Sequence, residues 1–587
     1  MSPAGEAPPW RDGAAALGIF ALAAAVRAIH LLSIRDIPSF QHLLIDAAAY
    51  DAWAVRIAGG AWWGPDAFYQ APAYPYLLAV VYRFIGHEMW NVHVIQLLLG
   101  ALSCALCFGT ARVLFGFGAG LTAGLVLALY PPAIFFGAIV QKTALGLALT
   151  SAGLLAVVAF ERRQSAFLCA LAGALFGLLA LTRENALVWL PWIPVWLAMR
   201  TREGRSRLVP AAAFVAGAAL LLLPAAIHNY ANGRTFSLTT SQLGTNFWYG
   251  NSPDASGLYV PLVPGRHTPE FESPDATRIA EEALGRPLSR GEVSDYWLGR
   301  GLDWVRAEPV AWSKLMVWKW FLTWNAYEIP DTEDLYVYED WSPALRWSPL
   351  HFGLLVPLAA AGLILARRDP PLWARSHFLI WLALVYAAGV SVFLVAARFR
   401  FPLVPLLLPF VGLAVVHGAS LATNGRIREL RAPLLALAAA AIACNVLLLD
   451  RDVFRASSYA NFGGIMLREH RLADAERYLE QAESIFAGDP DVQFHLGVLR
   501  SEQGRLPEAE AHLRRMLEME DADYRGHQVL ADVLERQGRP EEAAGHRKTA
   551  RELAPDPAPE AGLGVNPKAE SGGRARAPRD PRAPPPR

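Results

Sequence analysis

The sequence predicts an all-α chain, a polytopic membrane helix bundle followed by a solenoid of helical hairpins. Three observations predict it. Apolar stretches long enough to cross a bilayer recur through the first three quarters of the 587 residues. Hydrophobic residues make up 54% and charged residues only 18%, against about a quarter charged in an average soluble domain. The last quarter repeats itself every 34 residues. The 53 basic and 53 acidic residues cancel, which argues against a nucleic-acid surface and makes the bilayer the solvent that shapes most of the chain.

Apolar windows of spanning length place helices near 13–33, 90–114, 118–131, 137–160, 165–182, 186–199, 208–227, 350–366, 376–396, 401–417 and 432–449, about eleven spans. The first run carries Arg27 and no small-residue cleavage site, so it reads as a retained helix rather than a signal peptide. Arginines gather in alternate connections, such as Arg162 with Arg163, Arg200 to Arg207, and Arg426 to Arg431. The opposite short connections hold only Arg183, Arg398 and Arg400. By the positive-inside rule residues 1–12 are cytoplasmic. A membrane domain then covers 13–450, with outer segments 34–89 and 228–349, and the chain after the last helix is extracytoplasmic. Pro131-Pro132 interrupts the third and fourth spans, where a re-entrant course would change the parity. Cys104, Cys107, Cys169 and Cys444 all fall inside apolar runs without a second metal-ligand pair, and read as packing or lipid-facing residues.

From 455 to 555 the repeat aligns Phe462, Leu496 and Leu530; Ala475, Ala509 and Ala543; and His470, Gly504 and Gly538. A 34-residue period with a small or turn-forming residue between two helices resembles the tetratricopeptide repeat, and three units are enough for a stable stack. Such a stack is a surface for a protein partner. Residues 556–587 collapse to Pro, Ala, Gly and Arg, cannot bury a core, and are expected to be disordered.

Candidate chemistry concentrates in the outer segments. Asp46 follows the apolar "LLI" at the start of a helical stretch, where a carboxylate is favoured, so an N-cap and a site acid are both open readings. Asp51 lies five residues on, well around the helix from Asp46. Lys142, Arg183, Arg398 and Arg400 stand at predicted outer helix ends, against the orientation rule, and charge beside hydrocarbon marks function by default. The competing readings are an interfacial snorkelling pair for Arg398 and Arg400, and an ion pair of Arg183 with its neighbour Glu184. Gln70 and Tyr74 flank Pro72 in a segment whose aromatic residues suit a membrane-interface belt or a sugar-stacking surface. His228, Asn229 and Tyr230 mark a helix end, and Asn246 lies in a turn-forming stretch. The Trp-rich part of 228–349 predicts an amphipathic helix that lids a cavity. No Gly-rich phosphate loop follows a strand, so a nucleotide-sugar site is not supported.

"DAAAY", then "FYQAPAYPY" and "RFIG", with "LTREN" at 181–185, "HNY" and "FSLTTSQLGTNFWYGN" within 228–251, and "ARFRFPLVP" at 397–405, resemble in their order the C-type integral-membrane glycosyltransferases over residues 13–420. The nearest group is the family-39-like transferases, which include protein O-mannosyltransferases and lipid A aminoarabinose transferases. The resemblance implies transfer of a sugar from a polyprenyl-phosphate donor to an outer-face acceptor, whether lipid, glycan or protein. It implies Asp46 as the catalytic carboxylate, the four cations as candidates for the donor phosphate, and Tyr50, Gln70, Tyr74, His228, Asn229, Tyr230 and Asn246 as substrate contacts. Many relatives carry Asp-Glu where this chain has Asp46-Ala47, so a second acid falls to Asp51 or Asp66. Some relatives use a divalent cation, but no dedicated ligand cluster here requires one. A bacterial inner membrane, with the repeats outside, is the expected location. The alternatives are a transporter or flippase, and a membrane-anchored repeat scaffold without catalysis.

Overall fold

The computed structural model describes residues 9–554, apart from 235, 267 and 268. The tail expected to be disordered therefore lies outside the described residues. The chain divides into two compact units, one ending at Ser458 and the other starting at Tyr459. Every regular element among the described residues is helical, as the apolar and 34-residue periodicities require.

Six helices of the first unit are long and apolar enough to cross a membrane: Trp10–Ile34, Met89–Phe115, Thr143–Arg163, Leu208–Gly233, Pro370–Val392 and Ala397–Thr423. Phe117–Leu129, Ala166–Ala180 and Phe352–Arg367 are apolar but shorter. The remaining two of the eleven expected spans are broken or short. Residues 186–199 form a 3-10 turn at Glu184–Trp189 and a short helix at Trp192–Met199, with Pro191 between them, and the final stretch is helical only over Arg431–Cys444.

The expected break at Pro131-Pro132 is present, and Arg27 shows how an apolar surrounding tolerates it. The Arg27 guanidinium, fully buried, donates to the carbonyls of Ala23 and Ala128 at 3.2 Å and reaches those of Leu127 and Ala133 at 3.5 Å. Carbonyls freed at the end of Phe117–Leu129 thus find a donor inside the protein, which hydrocarbon cannot supply. The chain then turns through buried residues 136–142 before Thr143 starts the next helix, so Lys142 sits at a helix N-terminus. Elsewhere small residues bring backbones together. A Cβ on Gly173 would lie 1.9 Å from the Phe214 carbonyl oxygen, and one on Gly217 2.0 Å from that of Ala170, so Ala166–Ala180 and Leu208–Gly233 pack backbone to backbone. All four cysteines are buried and free.

The two segments expected on the outer side are themselves helical. Residues 34–89 carry Ile45–Ala58 and Ala73–Phe84, and 228–349 carry Leu243–Gly250, Pro269–Leu284, Arg290–Ala307 and Pro309–Trp324. The aromatic helix expected in the latter is two helices, because Glu308-Pro309 ends one and begins the next. Lys319 pins that region from below, its ammonium donating to the carbonyls of Gly250, Val392 and Phe393.

In the second unit the repeat registers as helix pairs, among them Pro490–Glu502 with Leu506–Met519 and Tyr524–Arg536 with Pro540–Leu553. Ala475, Ala509 and Ala543 are wholly buried, and His470, Gly504 and Gly538 all adopt positive φ at the turns. Asp489 and Asp523 cap the following helices with their side chains.

Candidate active site

Three chain segments far apart in sequence meet around one guanidinium. Asp46 is the second residue of Ile45–Ala58, and Ile45 before it has φ +46°, a left-handed conformation costly for a β-branched residue. Arg398 stands on the short turn Ala397–Arg400 that opens the last long apolar stretch, Ala397–Thr423. Its Nη1 donates to Asp46 Oδ2 at 2.6 Å and its Nη2 lies 2.5 Å from Asp331 Oδ2. The Arg398, Asp46 and Asp331 side chains are 10%, 11% and 24% exposed. Gln70 Nε2 donates to the other Asp46 oxygen at 3.2 Å. Asp331 belongs to the loop "EIPDTED" after Pro309–Trp324.

Lys142 and Arg183 border this group. Lys142 Nζ is 3.9 Å from Glu184 and 6.0 Å from the centre of the Tyr50 ring. Arg183 Nη2 donates to Thr143 Oγ1 at 2.6 Å, while its buried Nε has no hydrogen-bond partner. Gly146 leaves room for it, since a Cβ there would sit 3.4 Å from Nε. Tyr50 meets Tyr74 edge-on at 5.4 Å, and Tyr74 donates to Gln96 Oε1 at 2.6 Å, so the two phenols form a buried wall.

Burial alone would raise the Asp46 carboxyl, but the charge and hydrogen bond of Arg398, with Lys142 and Gln70 behind it, hold it below its ordinary value. Asp331 goes the other way, raised first by burial and also by the Asp46 charge, against the pull of Arg398. Glu272, on Pro269–Leu284, is pushed up to about 7 by burial and by the same Asp46 charge.

Of the residues singled out in the sequence, Asp46, Arg398, Gln70, Lys142, Arg183, Tyr50 and Tyr74 come together. The others do not. Asp51 accepts from Tyr82 at 2.6 Å and pairs with His87 at 2.8 Å, which ties Ile45–Ala58 to the end of Ala73–Phe84. Asp66 is 63% exposed and 3.3 Å from Arg290. The carboxylate that shares Arg398 with Asp46 is Asp331, neither Asp51 nor Asp66. Arg400 is engaged away from this group as well. It pairs with buried Glu328 at 3.0 Å, donates to the carbonyls of Leu322, Thr323, Asn325 and Tyr327, and lies 4.1 Å over the Phe352 ring. It holds the Asn325–Glu328 turn, with both terminal nitrogens engaged and only its buried Nε without a partner. Arg183 does not pair with Glu184, which faces Lys142 instead. His228 stacks on Phe68 at 4.3 Å and its Nε2 lies 3.0 Å from the Asp66 carbonyl. Asn229 accepts from the Phe68 N–H and donates to the carbonyls of Ser237 and Thr239. Tyr230 is 64% exposed, and Asn246 donates to Gln242. His228 and Asn229 thus organise the loop around Phe68.

A divalent ion has no fitting donor set here. The two neighbouring carboxylates are bridged by Arg398, and among the described residues no three His, Cys, Asp or Glu side chains gather as ligands.

Comparison with known proteins falls on the same elements. Residues 69–229 match the family model of dolichyl-phosphate-mannose-protein mannosyltransferase. That stretch holds Gln70, Lys142 and Arg183, and the resemblance read from the loop motifs is borne out. Residues 466–531 match the tetratricopeptide repeat, as the 34-residue period indicated. No curated protein matches the chain. Among solved structures, the archaeal oligosaccharyltransferase AglB from Archaeoglobus fulgidus, in complex with an inhibitory peptide and a dolichol-phosphate, is 15% identical over 80% of this chain and 59% of that one, with TM-score 0.41. The apo form of the Archaeoglobus fulgidus oligosaccharyltransferase gives the same identity and coverage, with TM-score 0.39. ArnT from Cupriavidus metallidurans, bound to undecaprenyl phosphate, is 15% identical over 68% of this chain and 78% of that one, with TM-score 0.29. The chain thus spans 59% of the length of the two archaeal structures.

Proposed function

We propose that the chain is an integral-membrane glycosyltransferase that moves a sugar from a polyprenyl-phosphate donor to an acceptor at the extracytoplasmic face, in a bacterial inner membrane. The observation that carries this reading is the buried charge group at the helix ends. Asp46 is fixed by Arg398 and Gln70, beside Arg183, whose guanidinium meets only a threonine hydroxyl. The match of residues 69–229 to a family named for a lipid-phosphate sugar donor supports the same chemistry.

Breaking an anomeric C–O bond to a lipid phosphate leaves negative charge on that phosphate and positive charge on the sugar. Preorganised charge in a dry site lowers the barrier most when it is aimed at where charge develops. Arg183 and Lys142 receive the phosphate, because Arg398 is already shared by two carboxylates. Asp46, kept ionised by its partners, faces the sugar. Tyr50 and Tyr74 keep water out. The tetratricopeptide unit supplies a surface for a partner or a polymeric acceptor.

The test is turnover. Purified protein in lipid, given a panel of polyprenyl-phosphate sugars with water and a membrane extract as acceptors, consumes at least one donor. Asp46→Asn loses that activity with membrane insertion unchanged. Folded protein that consumes none of the donors refutes the reading in favour of a transporter or a scaffold.

A further inference from the structure

The two carboxylates on Arg398 are not equivalent. Asp46 commits both oxygens, one to Arg398 and one to Gln70. Asp331 gives Oδ2 to Arg398 and to a long contact from Thr332 at 3.5 Å, and among the described residues its Oδ1 accepts no hydrogen bond. Asp331 is also the more open of the two, and it lines a cleft with Gln141, Thr332, Glu333 and Arg398. Gln141 adds a second, independent sign of a ligand. Its side chain is 95% buried, being 5% exposed, and its Oε1 has no hydrogen-bond partner. A buried acceptor without a donor is costly unless something supplies one. The one cation lining the cleft, Arg398, has both terminal nitrogens on carboxylates and only its buried Nε without a partner, while Glu328 and Glu333 line the cleft too. This cleft therefore presents unmet acceptors and suits a group that donates hydrogen bonds.

We propose that the cleft between Gln141 and Asp331 receives the acceptor's hydroxyl group, and that Asp331 takes its proton during transfer. The inference rests on the glycosyltransferase reading above and names the acceptor class, a neutral or cationic hydroxyl compound rather than one with a phosphate or carboxylate beside the reacting oxygen. In the step, the acceptor O–H bond breaks and its proton passes to Asp331 Oδ1. The acceptor oxygen forms a bond to the anomeric carbon. The bond from that carbon to the phosphate oxygen breaks, and its electron pair leaves with the polyprenyl phosphate. Release of the proton to water restores Asp331. Burial and the Asp46 charge raise Asp331, as a proton acceptor requires, whereas Asp46 is held low. The charged groups within reach of Asp331 are Arg398, Asp46, Arg183 and Glu272, and Glu328 and Glu333, the latter pushed up to about 7 by burial, line the same cleft.

The experiment compares wild type, Asp331→Asn and Asp331→Glu, each reconstituted full-length, for consumption of the donor panel across pH and for binding of undecaprenyl phosphate. Loss of a positioned base predicts that Asp331→Asn lowers kcat by about a hundredfold or more. Undecaprenyl phosphate binding stays unchanged, the acidic limb of the rate profile disappears, and Asp331→Glu recovers part of the rate. Asp331→Asn that keeps most of the wild-type kcat and its acidic limb overturns the assignment. So does loss of undecaprenyl phosphate binding in both variants, which makes Asp331 a structural ion-pair partner only. Wild type that binds undecaprenyl phosphate yet consumes no donor sinks the transfer reading itself, and this proposal with it.

Discussion

Removing the Arg398 guanidinium tests the electrostatic design of the site most directly. Arg398→Gln leaves Asp46 and Asp331 facing each other, 11% and 24% exposed, with the cation that lay 2.6 and 2.5 Å from them gone. Breaking a buried ion pair by deleting one partner costs about 3–5 kcal/mol, because the remaining charge stays desolvated. The assay is reversible unfolding in mixed micelles, read by tryptophan fluorescence. Arg398→Gln is expected to lose that amount near neutral pH. The loss depends on pH in a definite direction. Asp46 is held below its ordinary value, so the stability it contributes is present above about pH 4 and fades as the pH falls through its folded value. The deficit of the variant therefore shrinks in acid. Adding Asp331→Asn to Arg398→Gln removes one of the two facing charges and recovers about 1 kcal/mol or more, as coupled neighbours do. A variant within about 0.5 kcal/mol of wild type, the scatter of ordinary surface substitutions, would refute the ion-pair account.

Three further changes probe other links. Arg183→Gln removes charge-assisted hydrogen bonds worth about 1.5–3 kcal/mol to a phosphate, so undecaprenyl phosphate is expected to bind roughly ten- to a hundredfold more weakly by equilibrium titration, with the unfolding midpoint nearly unchanged. Glu272, raised to about 7, contributes stability that is fully present below its unfolded value and is lost as the pH rises through 7. Glu272→Gln should flatten the melting temperature of the folded protein between about pH 5 and 8, where the wild type declines. Gly173→Ala places a methyl 1.9 Å from the Phe214 carbonyl oxygen. Overpacking of that kind costs about 1–3 kcal/mol or more, and is checked by a lowered melting temperature in micelles with the repeat helices unaffected.

What could be read from the sequence follows the range of the interactions involved. The repeats were legible because their signals are local. Ala475, Ala509 and Ala543 are buried where one helix crosses the next, and His470, Gly504 and Gly538 supply the positive φ that a tight interhelical turn needs. Asp46 with Gln70 was legible for the same reason, since both lie in one outer segment. Asp331 was not. Its partner lies on another element, and Arg398 joins residues 352 positions apart when it reaches Asp46. The acidic run "EIPDTED" beside a tryptophan-rich helix was the available signal, and it was absorbed into the helix reading. Asp51 and Asp66 looked suitable by proximity in sequence alone, and each turned out to have a nearby partner of its own, His87 or Arg290.

Arg398 and Arg400 show why an amino-acid type in the right region does not define a role. Two residues apart on a helical turn, their side chains leave the backbone on nearly opposite sides. One side reaches the two aspartates, while the other enters a ring of carbonyls with Glu328 beneath it and Phe352 against its face. Arg400 thereby fixes the turn at Asn325–Glu328, three residues before Asp331, and Arg398 grips Asp331 itself. The paired arginines therefore act on the same loop from two points. Arg400 sets where the loop runs, and Arg398 sets which carboxylate oxygen is left free. A loop held at both places keeps Asp331 beside Asp46 with Arg398 as the link between them, and this is the physical reason that a chain with Ala47 next to Asp46 can still present two carboxylates at one site.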